Sequence, residues 1–278
     1  MTSLVWIASY PRSGNTWVRL LLDGLRGGDA AAQLARPAIT TTAAASRHWF
    51  DETLLIESSD LTRDEAFAAR PAVWRDCDRW SRGGTWFIKA HDAWTRNAAG
   101  EPLFPPELTA GAIYVVRDPR DVACSWAAFL GIDIDAAIAV MAGAAKPHSS
   151  VLRSLAIPVP QRMASWSENA RSWLDSGIRL HAVAYEAMLA DPDRAAADMV
   201  RFLGWETAPE TMTEVVAATR FDRLRRLEAQ QGFCERPEST ERFFRRGQAG
   251  GWRDTLSAAQ VAGIERDHGP MMRRLGYL

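Results

Sequence analysis

Apolar residues gather in three short runs, LVWIAS at 4–9, TWFIKA at 85–90 and AIYVVR at 112–117, each bounded by turn-forming residues. Runs of this length, rich in Val, Ile and aromatics, predict buried strands. A fourth run, RLHAVAY at 179–185, alternates more strongly and predicts a further strand. Between the runs the spacing changes to threes and fours. Trp17, Val18, Leu21, Leu22 and Leu25 follow the first strand at helical spacing, and DPRDVACSWAAFL at 118–130 continues the third run as a helix. Asp118 is placed to cap that helix, and Pro119 takes a first helical position where its missing N–H costs nothing. Strands alternating with helices predict an α/β fold in one domain over 1–278, a parallel central sheet flanked by helices. Two stretches do not follow the alternation. Residues 133–160 mix an Ala-rich helical pattern with KPHSS and IPVP, and 232–251 carry glycines at both ends with many charges, so both are expected to be lid or acceptor segments.

A chain of 278 residues, 47% hydrophobic and 24% charged, can bury a full core. Its 33 basic and 34 acidic residues nearly cancel, so the overall field favours neither nucleic acid nor an anionic membrane, and any anion site has to be local. Cys77, Cys124 and Cys234 are far apart with no CxxC pair, against both a structural zinc site and a disulfide framework. The N-terminus lacks a basic region before its apolar segment, and no apolar run approaches 18 residues. The expectation is a cytoplasmic protein with neither signal peptide nor membrane span. Only two of the 33 basic side chains, Lys89 and Lys146, are lysines, so a lysine at a functional position stands out.

The stretch SYPRSGNTW, Ser9 to Trp17, follows the first predicted strand directly. Set against the triphosphate loop GxxxxGK[ST], it has Ser9 for the first Gly and Asn15 for the Lys, and keeps Thr16. The layout is still strand, turn with Pro11 and Gly14, then a helix whose first N–H groups face the loop, with Arg12 supplying the missing positive charge. Such a nest suits a phosphate flanked by a sulfate or diester better than a magnesium-bound triphosphate, although an ordinary strand-to-helix turn also fits the loop by itself. FIKAHDAW places Lys89 and His91 two apart at a strand end, pointing the same way, as a fixed cation beside a group able to take a proton. His48, His148, His181 and His268 are expected to be structural. YVVRDPRDVACSW puts Arg117 at another strand end and Ser125 about two turns into the following helix, where each can meet a phosphate. Arg117, Asp118, Arg120 and Asp121 fit a capped helix start with surface ion pairs equally well. Arg245 and Arg246 precede Gly247, with more glycines at 250 and 251, which suits a lid closing over a phosphate and also a solvated basic loop.

In chain order these segments resemble the sulfotransferases that use 3′-phosphoadenosine 5′-phosphosulfate (PAPS). YPRSGNTW is similar to the family's YPKSGTTW, KAH to its KTH, RDPRDVACSW to its RNPKDVAVSY, and RRGQAGGWR to its RKGxxGDWK; YEAM at 185–188 and TRF at 219–221 are weaker echoes. The resemblance implies a P-loop, nucleotide-kinase-like fold. It implies that Arg12, Ser13, Gly14, Asn15 and Thr16 hold the 5′-phosphosulfate and that Arg117, Ser125, Arg245, Arg246 and Gly247 hold the 3′-phosphate. Trp17 and Phe221 would stack on the adenine, with Tyr185 and Thr219 near it. The implied reaction is in-line transfer of the sulfuryl group from PAPS to the hydroxyl of a small-molecule acceptor, leaving adenosine 3′,5′-bisphosphate (PAP), with His91 as base, Lys89 and Arg12 as catalytic cations, and no metal. Arg12 and Arg246 stand where the family has Lys, and Gly251 where it has Asp. Two other readings stay open: a magnesium-dependent P-loop kinase or nucleoside triphosphatase, and a non-catalytic nucleotide-binding protein of the same fold. The acceptor and the oligomeric state are not legible. Trp94, Trp126 and Phe129 lie near enough to the motifs to line an acceptor pocket, or to be core.

Overall fold

In chain order the elements are β1 (Thr2–Ser9), α1 (Asn15–Leu25), β2 (Thr41–Ala43), α2 (Arg47–Leu54), α3 (Arg63–Arg75), β3 (Gly84–Ala90), β4 (Thr109–Val116), α4 (Pro119–Leu130), α5 (Ile134–Met141), α6 (Trp166–Leu174), β5 (Leu180–Ala184), α7 (Tyr185–Ala190), α8 (Pro192–Leu203), α9 (Pro209–Ala218), α10 (Phe221–Gln231) and α11 (Ala258–Arg274). They come from a computed structural model that describes residues 2–27, 41–75, 77, 84–144, 158–236 and 240–278. The strands form one parallel sheet in the order β2-β3-β1-β4-β5. β1 is central. From β1 the chain crosses to the edge strand β2, comes back to β3 beside β1, and then passes to β4 and β5 on the other side, so the loops after β1 and β4 open side by side at the carboxyl edge. Open α/β sheets bind ligands at such a crossing.

The alternation along β1 explains why its run is apolar at every position. Leu4, Trp6 and Ala8 pack on one face with Ile88, Tyr114, Trp74 and Trp173; Val5 and Ile7 pack on the other with Phe87, Ile113 and Val115. Each fully buried aliphatic side chain contributes about 1.5–3 kcal/mol, so the central strands are fixed by burial rather than by propensity. The four anticipated strands are present. The edge strand β2 was not anticipated, because TTA carries no apolar run and is only three residues long.

Asp118 caps α4 by accepting from the Arg120 amide at 2.9 Å, with Pro119 in the first turn. Of the anticipated lid segments, 134–141 is the helix α5, with Val140 and Met141 buried. Residues 145–157, which include Lys146 and His148, and 237–239 lie outside the described residues. The rest of 232–251 is irregular yet anchored: Phe233 and Phe244 are buried against Leu20 and Leu224.

Candidate active site

β1 delivers Ser9 to the sheet edge, and the chain turns through Tyr10 to Gly14 into α1. Arg12 (φ 68°) and Gly14 (φ 111°) are both left-handed. Gly14 is required twice over, since a Cβ there would also sit 2.8 Å from the Tyr185 ring. A left-handed non-glycine costs of order 1–3 kcal/mol and persists where its surroundings over-determine it. Those surroundings are on hand for Arg12. Its Nε donates to Ser125 Oγ (3.2 Å), its Nη2 to the Phe243 carbonyl (3.3 Å), and its guanidinium lies over the Phe129 and Phe243 rings. Burial, then Arg117 and Arg245, lower its pKa to about 10, so it stays charged at neutral pH. The first helical bonds of α1 run from the Trp17 and Val18 amides to Gly14 O. The amides of Asn15 and Thr16 precede them at the positive end of the helix. The Asn15 side chain turns away from that end, donating to Ile7 O (2.8 Å) and Ser9 Oγ (3.3 Å) to tie the loop to its strand.

β3 pairs with β1 so that Lys89 lies beside Ile7 and Ala90 beside Ala8. His91 therefore emerges next to Ser9, and its Nδ1 donates to Ser9 O at 2.9 Å, with Ser9 Oγ at 3.3 Å. A carbonyl only accepts, so the proton sits on Nδ1 and the Nε2 lone pair is left available. Burial, followed by the nearby Lys89 ammonium, lowers the His91 pKa to about 3, and the ring is neutral at physiological pH. Lys89 Nζ donates to Glu235 Oε2 at 3.3 Å. Burial pulls the Lys89 pKa down, and Glu235 opposes it.

On the other side of β1, Arg117 leaves β4 and stretches across the Tyr185 ring (4.3 Å) to donate to Arg12 O (3.2 Å) and Gln248 O (2.9 Å). Arg245 reaches the Cys124 carbonyl (3.2 Å) and Arg246 reaches Thr255 Oγ1 (3.1 Å). Gly247 (φ 60°) lies flat on Phe221, where a Cβ would come within 2.2 Å of the ring. Asp121 holds this stretch in place by accepting from the Gly250 amide (2.6 Å) and the Trp252 amide (2.9 Å). Asp118 and Asp121 are thus buried and hydrogen-bonded, and Arg120 lies buried between Asp118 and Glu265, which corrects the reading of this turn as surface ion pairs.

The described residues enclose a cavity of about 1590 Å³ that brings Arg12, Gly14, Asn15, Thr16, Trp17, Lys89, His91, Arg117, Ser125, Tyr185, Phe221, Arg245, Arg246 and Gly247 together. That exceeds the usual site for one drug-sized ligand and leaves space for a nucleotide beside a second molecule. Two anticipated residues do not line it. Thr219 is buried with its hydroxyl bonded to Val215 O, and Ser13 is fully buried beneath the loop with Oγ unpartnered. Arg117 Nε is likewise buried without a partner. Trp126 and Phe129 line the cavity, whereas Trp94 packs in the core on Phe104 and Trp173. A further wall carries apolar surface from Phe67, Val159 and Met163 beside the polar side chains of Arg63, Asp64, Gln161 and Arg162. It is fixed by Arg70, which grips Asp92 with two 2.8 Å bonds, and by Asp92 accepting from the Arg162 amide at 2.6 Å. Sequence reasoning missed Asp92, Arg70, Arg19 and Glu235 and gave Asp121 only a surface role; Asp92 follows KAH directly and was the nearest to a visible signal.

A sulfotransferase-domain family model matches residues 3–276, and the chain belongs to that family. Solved structures agree on the fold. Mouse sulfotransferase SULT7A1 complexed with PAP superposes with a TM-score of 0.62 at 17% identity, covering 98% of this chain and 84% of that one. Retinol dehydratase in complex with androsterone and inactive cofactor PAP gives 0.63 at 18% identity, covering 97% and 80%. By that membership the protein is a sulfotransferase. Among the described residues no three His, Cys, Asp or Glu side chains cluster as a metal site, and no single helix is long and apolar enough to cross a membrane.

Proposed function

We propose that one catalytic unit over 3–276 sulfates the hydroxyl of a small, largely apolar molecule, with His91 as general base. The observation that carries this is the Nδ1–H bond of His91 to Ser9 O, in a cavity that also holds Lys89 and Arg12. It leaves a neutral imidazole with a free Nε2 beside fixed cations. PAPS, when bound, supplies the sulfuryl group and leaves as PAP. The residues fit that donor: an unpartnered Arg117 Nε, a helix start with a glycine pressed on Tyr185, and a second glycine pressed on Phe221 all suit a flat, multiply anionic nucleotide. Arg12 and the amides at Asn15 and Thr16 would take the 5′ group. Arg117, Ser125, Arg245 and Arg246 would take the 3′-phosphate, and Trp17 and Phe221 would border the base. The hydrogen bond between Arg12 and Ser125 joins the two groups, so Arg12 touches both halves of the site.

His91 Nε2 takes the proton of the acceptor hydroxyl as its oxygen bonds to sulfur. Lys89, Arg12 and the start of α1 neutralise charge on the departing phosphate oxygen, a preorganised contribution of about 3 kcal/mol per donor. An anion against Lys89 cancels one of the causes depressing the His91 pKa, so the base strengthens when the donor is bound. The retinol dehydratase relative was solved with androsterone, and Phe67, Trp126, Phe129, Val159 and Met163 here offer an apolar wall that supports a small apolar acceptor. The test is equilibrium binding in EDTA: PAP should bind tightly and ahead of ATP. A preference for ATP that appears only with magnesium would discard this reading in favour of a kinase or nucleoside triphosphatase.

A further inference from the structure

Glu235 lies between two cations inside the cavity. Its Oε1 accepts from Arg19 Nη2 at 2.7 Å and its Oε2 from Lys89 Nζ at 3.3 Å. A carboxylate is a surprising lining for a site that receives a sulfate and two phosphates, because it repels them. The charges around Lys89 give the reason. The lysine stands at the buried end of a central strand, faced by Arg19 from α1, Arg12 from the first loop, His91 just past the end of its own strand, and Glu235. Burial and both arginines favour the neutral amine, and Glu235 alone of these groups favours the ammonium.

The bonding is asymmetric. The carboxylate is seated on Arg19, whose side chain is 5% exposed, by the shorter contact. The ammonium has three N–H groups, and one bond to Glu235 leaves two for ligand oxygens. The segment carrying Glu235 is also anchored. Phe233 is buried, and Glu228 accepts from the Phe243 and Phe244 amides at 2.7 and 2.9 Å. We propose that Glu235, held by Arg19, is the positioning residue of Lys89, keeping its ammonium charged and aimed into the cavity. This rests on the role given to Lys89 above. The low pKa of Glu235, about 2 against the effect of burial, fits a permanent counter-charge and not a proton carrier.

Lys89 and Lys146 are the only lysines, so selective ¹³Cε-lysine labelling gives two signals, assigned with Lys89→Arg. In Glu235→Gln the Lys89 titration midpoint should fall by about one unit or more while Lys146 stays put, with Glu235→Asp restoring part of the shift. The alkaline limb of PAPS cleavage, measured with water as acceptor, should move down by the same interval. In a Lys89→Ala background, Glu235→Gln should change that rate by less than about twofold. An unmoved Lys89 signal overturns the proposal by itself. So does tighter PAPS binding at undiminished turnover, which would make Glu235 a blocking contact. If Lys89→Ala leaves turnover intact, the role of Lys89 falls first and the proposal falls with it.

Discussion

The imidazole of His91 is set up by one backbone atom. Ser9 O fixes the tautomer, and the parallel register of β1 and β3 puts that carbonyl where the ring needs it. The Asn15 amide in turn braces the carboxyl end of β1 through Ile7 O and Ser9 Oγ. Replacing His91 by Gln keeps the volume and a donor able to reach Ser9 O but removes the basic nitrogen. Binding of PAP should stay within about threefold of the parent, while turnover falls by about 10² or more, as expected for loss of a general base. Isothermal titration with PAP and single-turnover sulfation of an acceptor panel read the two effects separately, and an unchanged rate would show that the proton leaves by another route. Arg117 allows a complementary test. Its guanidinium spans from Arg12 O to Gln248 O on the side assigned to the 3′ group. Arg117→Ala should therefore weaken PAP by about tenfold or more, and adenosine 5′-monophosphate far less, since a charge-assisted bond contributes about 1.5–3 kcal/mol.

At the scale of elements, the first turn of α4 organises more than its own helix. Asp118 caps it, and Asp121 reaches 129 and 131 positions along the chain to hold the Gly250 and Trp252 amides. The loop with Arg245, Arg246 and Gly247 is thereby docked against the strand end bearing Arg117. Asp121→Asn substitutes a neutral amide whose NH₂ confronts one of those N–H groups. We expect this loop to loosen and PAP affinity to drop about tenfold, or 1.4 kcal/mol, with adenosine 5′-monophosphate changed less than about threefold. Isothermal titration with each nucleotide would follow both, and equal losses for the two would argue against a loop role confined to the 3′ side. The same contacts show what was legible in the sequence. β1, β3 and β4 were legible because burial on two faces leaves an unbroken apolar run, and the turns after β1 and β4 because each is a contiguous strand-to-helix junction. Glu235 and Asp121 were not, since a carboxylate in a charged stretch looks solvated until its partner, 146 positions from Glu235 in the case of Lys89, is brought beside it. β2 was missed for want of any apolar residue but Ala, and Thr219 was misplaced because an echo of three residues carries no information on which way its hydroxyl points.

For the whole molecule, buried histidines set the response to acid. Burial and then Lys89 hold His91 at about 3, and burial holds His268 at about 4 against the opposing pull of Asp267 and Glu168, while His181 is lowered in the same direction by burial. All three remain near 6.5 in the unfolded chain. The unfolded state therefore binds more protons below about pH 6.5, and stability falls as the pH drops from there toward about 4 and then 3. The buried carboxylate acts in a different window. Glu235, held at about 2 by Lys89 and Arg19, contributes stability that is complete above about 4.5 and is lost progressively as the pH falls from there to about 2. Between pH 6.5 and 5 the loss thus belongs to the histidines, about 1.5 kcal/mol for each of His91 and His268. The melting temperature should decline by about 5 °C or more across that interval, as expected for a chain of this size. His268 lies away from the cavity, its Nδ1 on Ser167 Oγ at 2.9 Å and its ring against Trp166. Calorimetry of His268→Gln should therefore show about half to two-thirds of the parent's slope, since His91 and His181 still contribute, while PAP binding is unaffected. A parent melting temperature that stays level from pH 7 to 5 would mean that these imidazoles accept protons in the native state, and the neutral His91 that the proposed mechanism needs would have to be sought above that range.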